Sequence, residues 1–220
     1  MDKIWEHEGT LRRDLVRAGK RLYKLGFMPG TSGNLSVRLD SKFILATPTG
    51  VSKSTLSKED MVIVDLDGKQ YSGSRKVTSE IGMHLAVYNR RDDIGAVVHS
   101  HPPIATAFAC AGRALDEPLC SEAIMTLGSV PLAPYATTGT EEVADSLAEY
   151  IPDHEAILMA NHGVVTYGKT LMDAFMKMEP VEHFAQITLI VAQLGSASPI
   201  RKDQLAALLD ARTRYVLNAV

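Results

Sequence analysis

The run Gly95-Ala96-Val97-Val98-His99-Ser100-His101 ends in two imidazoles and is stopped by Pro102-Pro103. An apolar run this short, closed by prolines that cannot continue a ladder, reads as a strand buried on both faces. Such a strand needs apolar layers above and below it, and the chain has the elements to supply them. Ile4, Leu11, Leu15, Leu22 and Leu25 recur at helical intervals with charges between them, predicting a helix over residues 2–25 that ends at Gly26. After Gly30-Thr31-Ser32-Gly33 the period changes to that of strands, over residues 34–39, 43–48 and 61–69, where Asp67-Gly68 reads as a hairpin turn. Thr78 or Ser79 caps a helix running from Glu80 through Tyr88.

A short helix is expected after Pro102, then a strand around residues 130–135 and a helix over 140–151. Residues 156–160 form a strand, Asn161-His162-Gly163 a turn, and residues 164–168 a second strand. Two helices, roughly 171–194 and 202–217, close the chain; Pro180 inside the first predicts a bend near Glu179. Strands mixed with helices, several joined by short turns, predict an α/β/α layered domain with a largely antiparallel sheet, one domain over residues 1–220.

Composition narrows the function classes. With 220 residues, 45% apolar and 22% charged, the chain is neither disordered nor collagen-like. A net charge of −3 argues against broad electrostatic capture of nucleic acid or acidic membrane. Cys110 and Cys120 form no framework, the N-terminus lacks an apolar signal core, and no stretch is long enough to span a bilayer. A cytoplasmic protein with reduced thiols is expected.

The residues that carry chemistry start with His99 and His101. Side chains two apart on a strand share a face, so both imidazoles can meet one metal. His162, in the turn after another buried strand, offers a third ligand, and three imidazoles leave a position open for catalysis. His84 and His183 in helices, His7 near the start and His154 in a polar turn have no partner at ligand spacing. Glu80 is the candidate acid/base; the alternative is a carboxylate stabilised by the helix dipole. Turns rich in glycine and hydroxyls, at residues 30–34, 47–50 and 78–79, can hold a phosphate through backbone N–H groups, although none matches a P-loop or a dinucleotide fingerprint.

The ordered motifs GTSGNLSVR, ATPTG, TSE, AVVHSHP, APYATTGT and ANHGVVTYG resemble those of the class II aldolase/adducin family, and within it the L-fuculose-1-phosphate aldolase type. The resemblance runs from about Leu11 to Leu194. It implies an α/β/α sandwich, assembled as a homotetramer, that acts on a small sugar phosphate. It implies a zinc ion, or another divalent metal, on His99, His101 and His162, with Glu80 beside it. Gly33, Asn34, Thr49, Gly50, Thr78 and Ser79 would hold the substrate phosphate. Glutamate at position 80, where related epimerases carry aspartate, implies aldol cleavage. One departure concerns the tyrosine that fuculose-phosphate aldolases supply ahead of the APYAT segment: residues 117–132 contain none, and Tyr215 matches a second family tyrosine only weakly. Rival readings are another enzyme of the same scaffold, acting on 5-deoxyribulose or methylthioribulose 1-phosphate or decarboxylating a 3-oxo-tetronate phosphate, an adducin-like binding protein, and a metal-dependent hydrolase.

Overall fold

The computed structural model describes residues 5–218, with side chains described through Arg214. Helix α1 (Glu8–Lys24) is followed by strands β1 (Asn34–Arg38) and β2 (Phe43–Ala46), a short 3₁₀ turn, and the hairpin β3 (Val62–Asp65) and β4 (Gln70–Ser72). Helix α2 (Ile81–Tyr88) leads into β5 (Ala96–Ser100), α3 (Pro103–Cys110) and α4 (Ser121–Leu127). Then come β6 (Leu132–Ala133), α5 (Glu142–Leu147), β7 (Ala156–Met159), β8 (Gly163–Gly168), α6 (Leu171–Leu194) and α7 (Lys202–Asn218).

The eight strands form one sheet in the order β4-β3-β2-β1-β5-β8-β7-β6. Every pair is antiparallel except β6 with β7. The expected layering is therefore present, and β5 lies inside the sheet between β1 and β8. Period-two alternation divides the core. Ala96 and Val98 face a cluster with Leu15, Leu22, Phe108, Phe175 and Phe184, under α1, α3, α4 and α6. Val97 faces the other cluster, with Met83, Val87 and Tyr88 of α2 and Val143 and Leu147 of α5. His99 shares its parity with Val97 and so points to the α2 side.

The departures are local. Helix α4 falls in a segment to which the sequence reading assigned no element, and it packs against α7. Glu80 does not lie in the first helical turn: α2 begins at Ile81, and Glu80 occupies the N-cap position with φ −100° and ψ 19°. Helix α6 is continuous through Pro180, which agrees with a bend there as well as with a straight course. Tyr215 lies on α7, beyond the described side chains. No helix of the described residues is long and apolar enough to cross a membrane.

Candidate active site

His99 is the fourth of five buried residues in β5, His101 follows the strand, and His162 stands in the turn between β7 and β8. That turn is made by Asn161 at φ 58°, a left-handed conformation that asparagine tolerates better than most residues. The β5–β8 ladder pairs Ser100 with Val164 and brings the two ends together. One ligand atom from each of the three histidines lies within 4.8 Å of the others. Gly163 permits this approach: a Cβ there would stand 2.5 Å from His101 Cδ2 and 2.8 Å from the Ser100 carbonyl. On the other side of the strand, the Glu182 carboxylate of α6 accepts the N–H groups of Ile104 and Ala105, fixing the start of α3 just beyond His101.

The imidazole chemistry fits a divalent cation. His99 Nδ1 lies 2.9 Å from the Val164 carbonyl, which can only accept, so Nδ1 carries the proton and Nε2 presents a lone pair. That Nε2 is buried without a hydrogen-bond partner. Burial holds His99 neutral, its pKa well below the usual histidine value. Burial also lowers the pKa of His101, with His162 adding to the effect. Glu80 Oε2 stands 3.5 Å from the bare His99 Nε2, acceptor facing acceptor, an arrangement that a cation held by the three imidazoles reconciles. Glu80 Oε1 lies 3.0 Å from His162 Nε2. Burial raises the pKa of the Glu80 carboxyl, but the neighbouring imidazoles and the Asn34 amide outweigh it and hold the group well below the carboxylate range. The dipole alternative for Glu80 loses ground, because its side chain makes no cap bond and turns to the imidazoles instead.

A cavity of about 650 Å³ opens onto this cluster. All six residues expected at the phosphate line it: Gly33, Asn34, Thr49, Gly50, Thr78 and Ser79. Gly33 sits at φ +69°, and a Cβ there would meet Met28 at 2.8 Å and the His99 carbonyl at 2.9 Å, so the loop closes on the strand only through glycine. Asn34 lines the cavity and also reaches behind it: Nδ2 gives one of its two N–H groups to Glu80 Oε2 at 2.7 Å, and Oδ1 faces His84 Nε2 at 2.6 Å. Thr78 Oγ1 accepts the Glu80 N–H at 3.3 Å, as a capping hydroxyl would.

Some residues of the site escaped the sequence. Thr138 and Gly139 complete the cavity wall, and their hydroxyl-and-glycine turn was the available signal. No lysine or arginine lines the cavity, but Lys53 lies behind its wall, with Nζ 3.2–3.4 Å from the carbonyls of Val51, Ser32 and Thr31. Burial pushes its pKa down to about 8, and the charge of Glu80 opposes this only in part. A buried lysine gives no signal in sequence. His84, which has no partner at metal-ligand spacing, is fully buried against Asn34 and Ser36.

Residues 13–189 match the family described as the class II aldolase and adducin N-terminal domain. The chain belongs to the class II aldolase/adducin family. It is 36% identical over 199 residues to the 5-deoxy-D-ribulose 1-phosphate aldolase of Bacillus thuringiensis serovar kurstaki, covering 90% of this chain and 92% of that protein. It is 36% identical over 189 residues to the 3-oxo-tetronate 4-phosphate decarboxylase of Escherichia coli K12, covering 84% of this chain and 88% of the relative. The solved structure of an L-fuculose 1-phosphate aldolase superposes with a TM-score of 0.85 at 31% identity, over 92% of this chain and 95% of that one. These relatives are aldolases and a decarboxylase, lyases of the class II aldolase family, and in this chain the three histidines are a group that could hold a metal ion.

Proposed function

We propose that this protein is a zinc-dependent class II aldolase that reversibly cleaves a ketose 1-phosphate, L-fuculose 1-phosphate or a similar sugar phosphate, to dihydroxyacetone phosphate and a short aldehyde. One observation carries the reading: the ionised Glu80 stands between the three-imidazole cluster and a cavity walled by hydroxyls and glycine main chain. A divalent metal on His99, His101 and His162 would supply Lewis-acid stabilisation of the negative charge that develops on the substrate's C2 oxygen. The Gly33 and Gly50 turns, with the hydroxyls of Thr49, Thr78 and Ser79, hold the phosphate and so place the reacting carbons near Glu80.

In the synthetic direction Glu80 takes the proton from C3 of dihydroxyacetone phosphate, and the carbon left electron-rich attacks the aldehyde. In cleavage the C4 hydroxyl gives its proton to solvent water, the C3–C4 bond pair flows toward the C2 oxygen as the aldehyde leaves, and Glu80, protonated from solvent, passes that proton to C3 and is ionised again. Glu80 is placed for both tasks because it lines the cavity beside the three imidazoles. Cys110 and Cys120 are both free thiols, in keeping with a cytoplasmic protein, and the reading includes assembly as a homotetramer.

A second substrate is favoured by one feature of the site. No tyrosine lines the described cavity, and residues 117–132 hold none. Together with the 5-deoxy-D-ribulose 1-phosphate aldolase among its relatives, this favours a smaller aldehyde partner than that of fuculose 1-phosphate. Purified enzyme would be assayed on L-fuculose 1-phosphate, 5-deoxyribulose 1-phosphate and 3-oxo-tetronate 4-phosphate. Dihydroxyacetone phosphate released from either ketose 1-phosphate is the expected result. Carbon dioxide from the third substrate alone would overturn the aldolase reading in favour of decarboxylation.

A further inference from the structure

Behind Glu80 the structure holds a continuous line of short hydrogen bonds that the proton-transfer role does not itself use. Asn34 Nδ2 meets Glu80 Oε2 at 2.7 Å, and Asn34 Oδ1 meets His84 Nε2 at 2.6 Å. His84 Nδ1 meets Ser36 Oγ at 2.7 Å, and Ser36 Oγ meets the Tyr88 hydroxyl at 2.9 Å. Asn34, Ser36, His84 and Tyr88 are all buried.

The line follows from two periodicities. Glu80, His84 and Tyr88 are spaced four apart at and along α2, while Asn34 and Ser36 are two apart on β1. Four helical residues rise about 6 Å, and two strand residues rise about 6.6 Å, so the ladders stay in register over three rungs. Helix and strand are stitched by polar side chains at a place where an apolar contact would serve stability equally well.

Its polarity is set from one end. Asn34 donates its amide Nδ2 to Glu80 Oε2, so its oxygen faces His84. That oxygen only accepts, so His84 carries its proton on Nε2. His84 is neutral, since burial pushes its pKa down to about 4, and Nδ1 is therefore an acceptor. Ser36 must then donate to His84, and Tyr88 to Ser36. Every donor points toward Glu80. Rotating the carboxylate would break this order at its first member and leave buried polar groups unpaired.

We propose that His84, Ser36 and Tyr88 are positioning residues that act through Asn34 to hold Glu80 in the orientation from which it exchanges a proton with substrate. This rests on the reading of Glu80 as the proton acceptor. Without the line, the Glu80 carboxylate keeps its contacts with His162 and His99, at 3.0 and 3.5 Å, but loses the Asn34 donor that fixes the rotation of Oε2.

The test uses zinc-loaded protein and dihydroxyacetone phosphate in deuterated water, with exchange of the C3 proton followed by NMR. His84→Phe keeps the ring and removes both nitrogens; His84→Gln keeps one donor and one acceptor. Exchange should fall roughly ten- to a hundredfold in His84→Phe with KM within about twofold of wild type, and His84→Gln should recover most of it. Zinc content should be unchanged. If His84→Phe does not fold, Ser36→Ala and Tyr88→Phe read the same line from farther along, with smaller losses in the same sense. A merely structural role would lower melting temperature in all variants without the split between rate and KM, and without the recovery by glutamine. Undiminished exchange in folded His84→Phe, beside an active wild type and an inactive Glu80→Gln, would overturn this inference alone. A wild type that exchanges no proton would overturn the role of Glu80 and this inference with it.

Discussion

Replacing Glu80 with glutamine changes charge and basicity while leaving size almost untouched, and the structure indicates what each change is worth. Glutamine can turn its oxygen toward Asn34 Nδ2, where Glu80 Oε2 now accepts at 2.7 Å, and its NH₂ toward His162, now 3.0 Å from Oε1. One charge-assisted hydrogen bond becomes a neutral one, a loss of about 1 kcal/mol. A carboxylate whose side chain is only 15% exposed also ceases to need burial, which offsets part of that loss. The net effect on stability should stay within about 1 kcal/mol, or roughly 2–4 °C in melting temperature for a chain of this size. The rate should respond on another scale. Positioned proton transfer contributes about 10²–10⁴-fold, a barrier increase of roughly 3–5 kcal/mol once the acceptor is removed. Exchange of the C3 proton of dihydroxyacetone phosphate with solvent deuterium isolates this step without any aldehyde. The zinc content, measured on the same sample, should be unchanged because three imidazoles remain. Undiminished exchange in Glu80→Gln with metal bound would show that another group moves the proton.

Single replacement of His99, His101 or His162 by alanine should lose metal and activity together, measured by elemental analysis and turnover; full occupancy in any variant removes that residue from the ligand set. Acid should destabilise the protein through His84. Its folded pKa of about 4 lies below the ordinary 6.5, so the unfolded chain takes up the proton first, and stability present above pH 6.5 is lost down to pH 4. That loss is about 3 kcal/mol at most, read by urea unfolding across this range, and a His84→Gln profile as steep as wild type would contradict it. Light scattering should give a tetramer mass, and a fully active monomer would refute the assembly.

The part of the site that was legible in sequence is the part written in local periodicity. Parity along β5 put His99 and His101 on one face, and the glycine after His162 marked the turn that brings it to them. The glycine and hydroxyl turns announced the cavity wall, because turn chemistry is short-range. What escaped depends on partners far away in the chain. His84 read as an unremarkable helical residue because its neighbours, Asn34 and Ser36, lie about fifty positions earlier on β1. The same distance hid the use of Asn34, whose side chain also serves Glu80. Helix α4 was missed because Ala123, Ile124 and Leu127 give barely one turn of apolar pattern, between Pro118 and Pro131. Glu80 slipped one position out of its helix, within the usual uncertainty of helix ends.

The missing side chain at Gly163 reaches beyond local fit. With main chain and ring already in contact there, the gap between His101 and His162 is gauged by the peptide ladder joining β5 to β8. Strand spacing in such a ladder is about 4.8 Å and yields far less readily than side-chain packing. Core residues under α1 or α6 can therefore drift in size over evolution without retuning the spacing of the histidines that would hold an ion. Of the cavity turns, the one at Gly33 shares that constraint, whereas the one at Gly50 has open space around it. A rigid gauge at one end and an open turn at the other would let one scaffold serve relatives named for splitting a ketose phosphate and for releasing carbon dioxide.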